Sequence, residues 1–334
     1  MDPHDRRALK SAARESLAAA PYDPRKLILL HTGVTIAVSL IGTILNFALS
    51  KQIENTGGLG GMGLRSMLST VQSVLQLLVA VALPFWEAGY CFVTMKIARN
   101  EKAEPVSMLQ GFRRFWPLLR VRLSQFMAYF LLGLFSFILS YYSFMLTPLS
   151  DPLYEIINTI NIDSALLQTE IMLDDATMLA ITDAYTPMLI IWLALFSIGA
   201  VIISYRFRMA TFLVFDHPEL RGRETLRISS YQLRGHTKEL IKLDLSYLWY
   251  FVLNIMAGML AYGDYLLPLI GVQLPMSSEV AYFAFLLLSL ALQAGLFIWA
   301  KNQVDVTYAK FYCLTALPFY QSREDDSDNS QSDE

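Results

Sequence analysis

Glu87 is the residue of this chain that most needs a chemical explanation. It is the only charged residue between Arg65 and Lys96, in an otherwise apolar stretch. Lys96 follows nine residues later, about 13 Å along a helix, which puts the carboxyl near mid-membrane if the stretch crosses a bilayer. A charge at that depth costs several kcal/mol unless it is paired or holds a proton. Such a carboxyl can relay a proton or cation, or it can lock helices together through an ion pair. Arg206 and Arg208, at the end of a later apolar stretch, are the partners the sequence offers. Asp244 opens another apolar stretch, where a carboxylate in the first helical turn is favourable, and it can pair with Arg206, Arg208 or Arg234. Asp264 lies where the outer end of that stretch reaches water. His31 reads as a hydrogen-bonded histidine just inside the first span, and Asn46, Gln72, Gln76 and Gln293 as interhelical hydrogen-bonding groups.

Other chemistries find no motif. The chain has no HExxH, no GxSxG elbow, no phosphate-cradling glycine loop and no His/Cys/Asp cluster at metal-ligand spacing, so no cofactor or metal is expected. An intramembrane hydrolase would need His217 or His236 beside Asp216 or Asp244 at a cavity, yet Asp216-His217-Pro218 also reads as a simple turn. The two cysteines, Cys91 and Cys313, make no disulfide framework. Basic residues adjoin apolar stretches, which argues against a nucleic-acid partner and for membrane lipids.

The elements that must position these residues are membrane spans. Over 334 residues the chain is 54% hydrophobic and only 16% charged, with a mean hydropathy of +0.41. Soluble domains carry about 25% charge. Six apolar segments, near 27–49, 67–94, 122–146, 187–212, 243–269 and 280–302, are each long enough to cross hydrocarbon. Pro84 predicts a kink in the second, and Gly57 to Gly63 a flexible turn before it. With six spans, 24 of the 26 lysines and arginines fall on one side. Positive residues stay cytoplasmic, so both termini are expected inside. The opposite loop, 147–186, has no basic residue and seven acids between Asp151 and Asp183, with a helical stretch expected around Leu166 to Leu179.

The predicted fold is therefore all-α: a six-helix transmembrane bundle with two interfacial amphipathic helices on its cytoplasmic side. Residues 1–26 form a basic segment in which Leu9, Ala13 and Leu17 recur at helical spacing. Leu226, Leu233 and Leu240 recur every seven residues, with Arg227 and Arg234 one place later, and Gly235-His236 interrupts the run. Such a helix is expected to lie at headgroup level, leucines toward the bilayer and Arg227, Arg234 and Lys238 toward phosphate. The transmembrane domain runs over 27–320. Its hairpins 67–146 and 187–269 share a plan of aromatic-basic exit, basic helix and Leu-Ser re-entry, consistent with a two-fold repeat. The acidic, serine-rich segment 321–334 reads as disordered.

Several of these residues also carry a family likeness. Tyr205-Arg206, Met209-Ala210, Asp216 with Pro218, Gly235-His236 and Leu243-Asp244-Leu245-Ser246 make the chain resemble a bacterial integral membrane family catalogued as domain of unknown function 975. Thr307, Ala309 and the pair Phe311-Tyr312 resemble its closing aromatics, and Lys10 to Leu17 its basic, alanine-rich opening. The chain departs from the family at Asn302-Gln303, where a proline-tyrosine pair is expected, and in its acidic outer loop. The resemblance implies a six-span protein of the bacterial inner membrane, and it brings no catalytic residue with it.

Together these readings lead to a non-enzymatic membrane protein, a lipid-interacting or partner-binding scaffold in membrane homeostasis, open to a membrane-protein partner or self-association. Arg227, Arg234 and Lys238 are its candidate lipid contacts, and Asp244 and Arg206 hold the bundle. The alternative is a small-solute or ion transporter built on Glu87, for which Glu87, Gln72, Gln76 and Gln293 should line one polar path.

Overall fold

The computed structural model describes residues 5–55, 62–158, 175–269 and 278–331, with side chains followed as far as Ala316. No strand occurs among the described residues. The helices longer than one turn are α1 (Arg6–Ala19), α2 (Pro24–Asn55), α3 (Met62–Ala98), α4 (Phe115–Met145), α5 (Asp175–Phe207), α6 (Ala210–Asp216), α7 (Gly222–Gln232), α8 (Thr237–Ser246), α9 (Leu248–Met259), α10 (Gly263–Leu269), α11 (Ser278–Leu296) and α12 (Asn302–Gln331), with short helical turns between some of them. A π-helical turn, Phe297–Lys301, joins the last two.

Among the described residues, five helical stretches are long and apolar enough to cross a membrane: Pro24–Ile53, Arg65–Ala98, Phe115–Met145, Met178–Asp216 and Val280–Ala316. The expected fifth of six spans is broken. Its α8 and α9 are bent by 62° at Tyr247, and the total is six only if the bent pair counts as one. The break falls where the Tyr247 side chain turns into the protein, its hydroxyl 2.9 Å from Thr307 Oγ1 and its ring 3.9 Å beneath the Lys10 ammonium. Pro84 sits inside α3 without ending it.

The apolar helices pack as pairs, α2 with α3, α4 with α5, and α9 with α11. Large side chains along them stand on the outside, among them Leu77 at 63% and Ile190 at 62% exposed. A face of that composition is stable against hydrocarbon, not against water. True burial is concentrated at the basic end of the bundle, where Leu9, Leu27, Tyr90, Met95, Leu118, Leu213, Leu240 and Phe311 converge. A smaller cluster of Phe144, Leu153, Ala184 and Met188 closes α4 on α5 at the opposite end.

Two expectations about amphipathic faces change here. α1 forms, with Asp5 accepting hydrogen bonds from the Arg7 and Ala8 amides as its N-cap. Its Leu9 and Ala13 are buried in the protein core, and α1 packs on α12 and α3. Leu226, Leu233 and Leu240 are likewise almost fully buried within that core. The heptad leucines meet protein, because the chain turns at Gly235, φ +99°, and α7 and α8 fold back on α12 and α1 instead of forming one straight surface helix.

The helix α12 is drawn as far as Gln331, across the segment whose composition reads as disordered. The turn from Gly57 to Gly63 lies largely outside the described residues. So do the stretch around Leu166 to Ile171, most of the outer-loop acids and the side chain of Asp264.

Candidate functional site

Glu87 is paired, but not with the residues the sequence offered. Its Oε1 accepts from Lys301 Nζ at 2.8 Å, and its Oε2 lies 3.0 Å from His31 Nε2. Lys301 also lies 3.2 Å from Asp305 Oδ2, one helical turn on, where the angle makes an ion pair without a formed hydrogen bond. The cluster is closed by aromatic rings. His31 stacks on Tyr90 at 4.3 Å between centroids, and Trp86 Nε1 donates to the His31 carbonyl at 3.2 Å. Tyr90 donates to Asn302 Oδ1, whose Nδ2 donates to the Pro24 carbonyl at 2.8 Å. The π-turn that ends at Lys301 shifts the register of the last apolar helix and so helps aim the ammonium at α3. Two carboxylates thus share one lysine, with a histidine against the first of them, and α2, α3 and α12 are pinned together. Arg206 and Arg208 do not take part.

Arg208 goes to Asp244 instead, Nη1 to Oδ2 at 3.0 Å, and Tyr308 donates to the other oxygen of the same carboxylate. A second site repeats this chemistry. Arg99 makes a bidentate pair with Asp216, at 2.9 and 2.6 Å, and Tyr312 donates to Asp216 at 2.6 Å. Tyr308 and Tyr312 are four apart on α12 and so point the same way. Hydrogen bonding to Asp216 raises the already high pKa of Arg99. Charge-assisted bonds of this kind each contribute about 1.5–3 kcal/mol. Nearby, Arg114 donates to the Val214 and Phe215 carbonyls and caps the end of α6. Lys10 donates to the Ser246 carbonyl at 3.2 Å, and burial with Arg14 and Arg6 alongside lowers its pKa.

A different set of arginines is left without partners. Gly222, first residue of α7, approaches α4 so closely that a β-carbon there would meet the Arg120 carbonyl at 2.4 Å and Ser124 Oγ at 2.7 Å. This contact sets α7 beside the basic end of α4 and opens two adjoining clefts. One, about 720 Å³, is lined by Arg120, Leu123, Ser124, Arg221, Gly222, Arg223 and Glu224. The other, about 780 Å³, has Arg223, Arg227 and Arg234 on one side and Leu123, Met127, Leu131, Phe207 and Leu226 among its apolar wall. Arg120, Arg221, Arg223, Arg227 and Arg234 are exposed and make no side-chain hydrogen bond or ion pair among the described residues. Five exposed, mutually repelling guanidiniums along two adjoining clefts favour an anion between them.

Of the residues singled out from sequence, Arg227 and Arg234 therefore share a cleft, while Lys238 is exposed on α8 and lines neither cleft. Asp244 pairs with Arg208, one of the three arginines the sequence offered. Arg206 does not hold the bundle through its side chain, which is exposed, although its carbonyl accepts from Ser229 at 2.9 Å. Lys301, Asp305 and Arg99 were missed as partners. The lysine's i,i+4 spacing to Asp305 was a usable signal, but the pairing of Glu87 with Lys301 is between residues 214 apart and leaves no local trace. Gln72 and Gln76 bond Asn46 across α2 and α3, and the groove there contains Gln76 and Asn46 without Glu87. Gln293 bonds Ser289 on its own helix. His217 contacts Glu219 at 3.0 Å, while Asp216 is engaged by Arg99 and Tyr312. Among the described residues no three His, Cys, Asp or Glu are placed to hold a metal.

No curated protein and no solved structure gives a significant match to the chain. Over residues 1–312, however, the sequence matches the family described as protein of unknown function (DUF975). The residues that carried the likeness, Asp216, Asp244 and Tyr312, are those that tie the basic end of the bundle together, and this multi-pass helical protein belongs to the DUF975 family.

Proposed function

We propose that this protein is a non-enzymatic, lipid-interacting component of the bacterial cytoplasmic membrane. It crosses that membrane six times, with the bent α8–α9 pair as one span and both termini in the cytoplasm. The observation that carries this reading is the division of its arginines. Arg99, Arg114 and Arg208 are consumed by carboxylates and carbonyls within the fold. Arg223, Arg227 and Arg234 line an open cleft with an apolar wall, and Arg120, Arg221 and Arg223 line the cleft that adjoins it. Phosphate above hydrocarbon is the chemistry that suits such a surface, and each basic residue near an anionic membrane adds about 1 kcal/mol. Against the transporter alternative stands the state of Glu87, held by Lys301 and His31 and absent from the groove that Gln76 lines.

The test is retention of lipid by the purified protein, read by native mass spectrometry after mixing with phosphatidylglycerol or phosphatidylcholine. Phosphatidylglycerol should be retained in preference, and Arg227→Gln/Arg234→Gln should abolish the preference. Gly222→Ala should weaken it as well, because the added methyl pushes α7 off α4. Equal retention of the two lipids by the wild-type protein would overturn the reading.

A further inference from the structure

We infer that the paired clefts beside α7 form one site for a membrane lipid that carries two phosphate groups. The inference rests on the lipid-binding reading above and narrows it. The clefts are not separate, since Leu123, Ser124 and Arg223 line both. Arg120, Arg221 and Arg223 surround the first, and Arg223, Arg227 and Arg234 the second, so each has three guanidiniums and Arg223 serves both. Arg223 and Arg227 are four residues apart on α7, about 6 Å along its axis, while Arg234 lies beyond its end. That gives a row of positive charge rather than a point. Glu224 is the single acid on either wall. One monoanionic headgroup would leave most of this charge uncompensated, whereas two phosphates can each take up to three arginines, which bind phosphate oxygens bidentately.

The rest of the site selects an amphiphile. Leu123, Met127 and Leu131 recur every four residues on α4 and form one apolar strip, facing Phe207 and Leu226. The strip runs from the arginine row along a membrane-crossing helix, so an acyl chain on it leaves its headgroup among the guanidiniums. Gly222 fixes the separation of the two walls through the contact with Arg120 and Ser124. The source of the phosphate is thus the membrane and not the cytoplasm.

The experiment uses the full-length protein in zwitterionic nanodiscs, titrated with cardiolipin, with phosphatidylglycerol at matched phosphate, and with soluble inorganic pyrophosphate. Cardiolipin should bind about tenfold more tightly than phosphatidylglycerol. Arg120→Gln/Arg221→Gln should reduce cardiolipin to the affinity of phosphatidylglycerol while sparing phosphatidylglycerol itself. Both double variants alter exposed, unpartnered side chains, and an unchanged melting temperature verifies their folding. Equal affinity for the two lipids at matched phosphate would overturn the two-phosphate inference and leave the general lipid reading standing. Binding of neither lipid would remove both. Pyrophosphate that binds as tightly as cardiolipin would overturn the assignment to a lipid.

Discussion

Replacing Lys301 with methionine removes the ammonium that Glu87 and Asp305 share, at 2.8 and 3.2 Å, and keeps most of its volume. The lysine side chain is only 11% exposed, so water does little to compensate. What remains is the Asp305 carboxylate and the Glu87 carboxylate, the latter 49% exposed and in contact with His31; a buried pair broken from one side costs about 3–5 kcal/mol, and the open side of Glu87 puts the cost here at the low end, about 3 kcal/mol. Glu87→Gln is the milder change, because Lys301 keeps Asp305 and the amide still accepts a hydrogen bond, for a cost of about 1–2 kcal/mol. Combining Lys301→Met with Glu87→Gln and Asp305→Asn leaves no uncompensated charge and should recover most of the loss. Thermal denaturation in detergent, followed by tryptophan fluorescence and size-exclusion recovery, reads the ranking. At a few degrees per kcal/mol, Lys301→Met should melt about 10 °C below wild type and Glu87→Gln only about 4 °C below. Arg206→Gln is the control and should be silent. A Lys301→Met protein that melts with wild type, or a triple variant worse than the single, would refute the shared-ammonium account.

Two further outcomes are expected. Asp244→Asn should lower stability by about 1–3 kcal/mol, read by the same melt, because it removes the charge that holds Arg208 and Tyr308 on one carboxylate. With Cys91 and Cys313 replaced by serine, cysteines at Ser11 and Arg113 should react with an impermeant maleimide only from the cytoplasmic side, and those at Asp151 and Asp183 only from outside. Labelling of all four from one side would reject the six-span orientation.

The apolar helices were legible because length and hydropathy are local properties, and five of the expected segments appear directly as helices fit to cross a membrane. The broken one, 243–269, was not, since the bend at Tyr247 comes from Thr307 and Lys10, far off in the chain. The pairing of Asp244 with Arg208 was within reach because both flank the same basic loop. An acid alone in an apolar stretch shows in sequence that Glu87 needs a partner, yet the partner Lys301 sits in the turn ahead of α12, and charge at a span end looks the same in sequence whether it is solvated or paired. For the leucines at 226, 233 and 240 the period is legible in the sequence and the surface they meet is not. Periodicity reports that a face is apolar, and only tertiary contact decides whether lipid or protein covers it.

The C-terminal helix α12 has a consequence for how the protein is made. The turn ahead of it and its first half supply Lys301, Asn302, Thr307, Tyr308 and Tyr312, which reach α3, the bend at Tyr247, Asp244 and Asp216. Each of those groups is made before the partner that completes it has been translated, and α1, far earlier in the chain, rests against α12. The basic end of the bundle therefore stays unlatched until α12 has been made, and it closes only then. A chain stalled before Lys301 would display its unmatched acids to the proteases that clear unfinished membrane proteins.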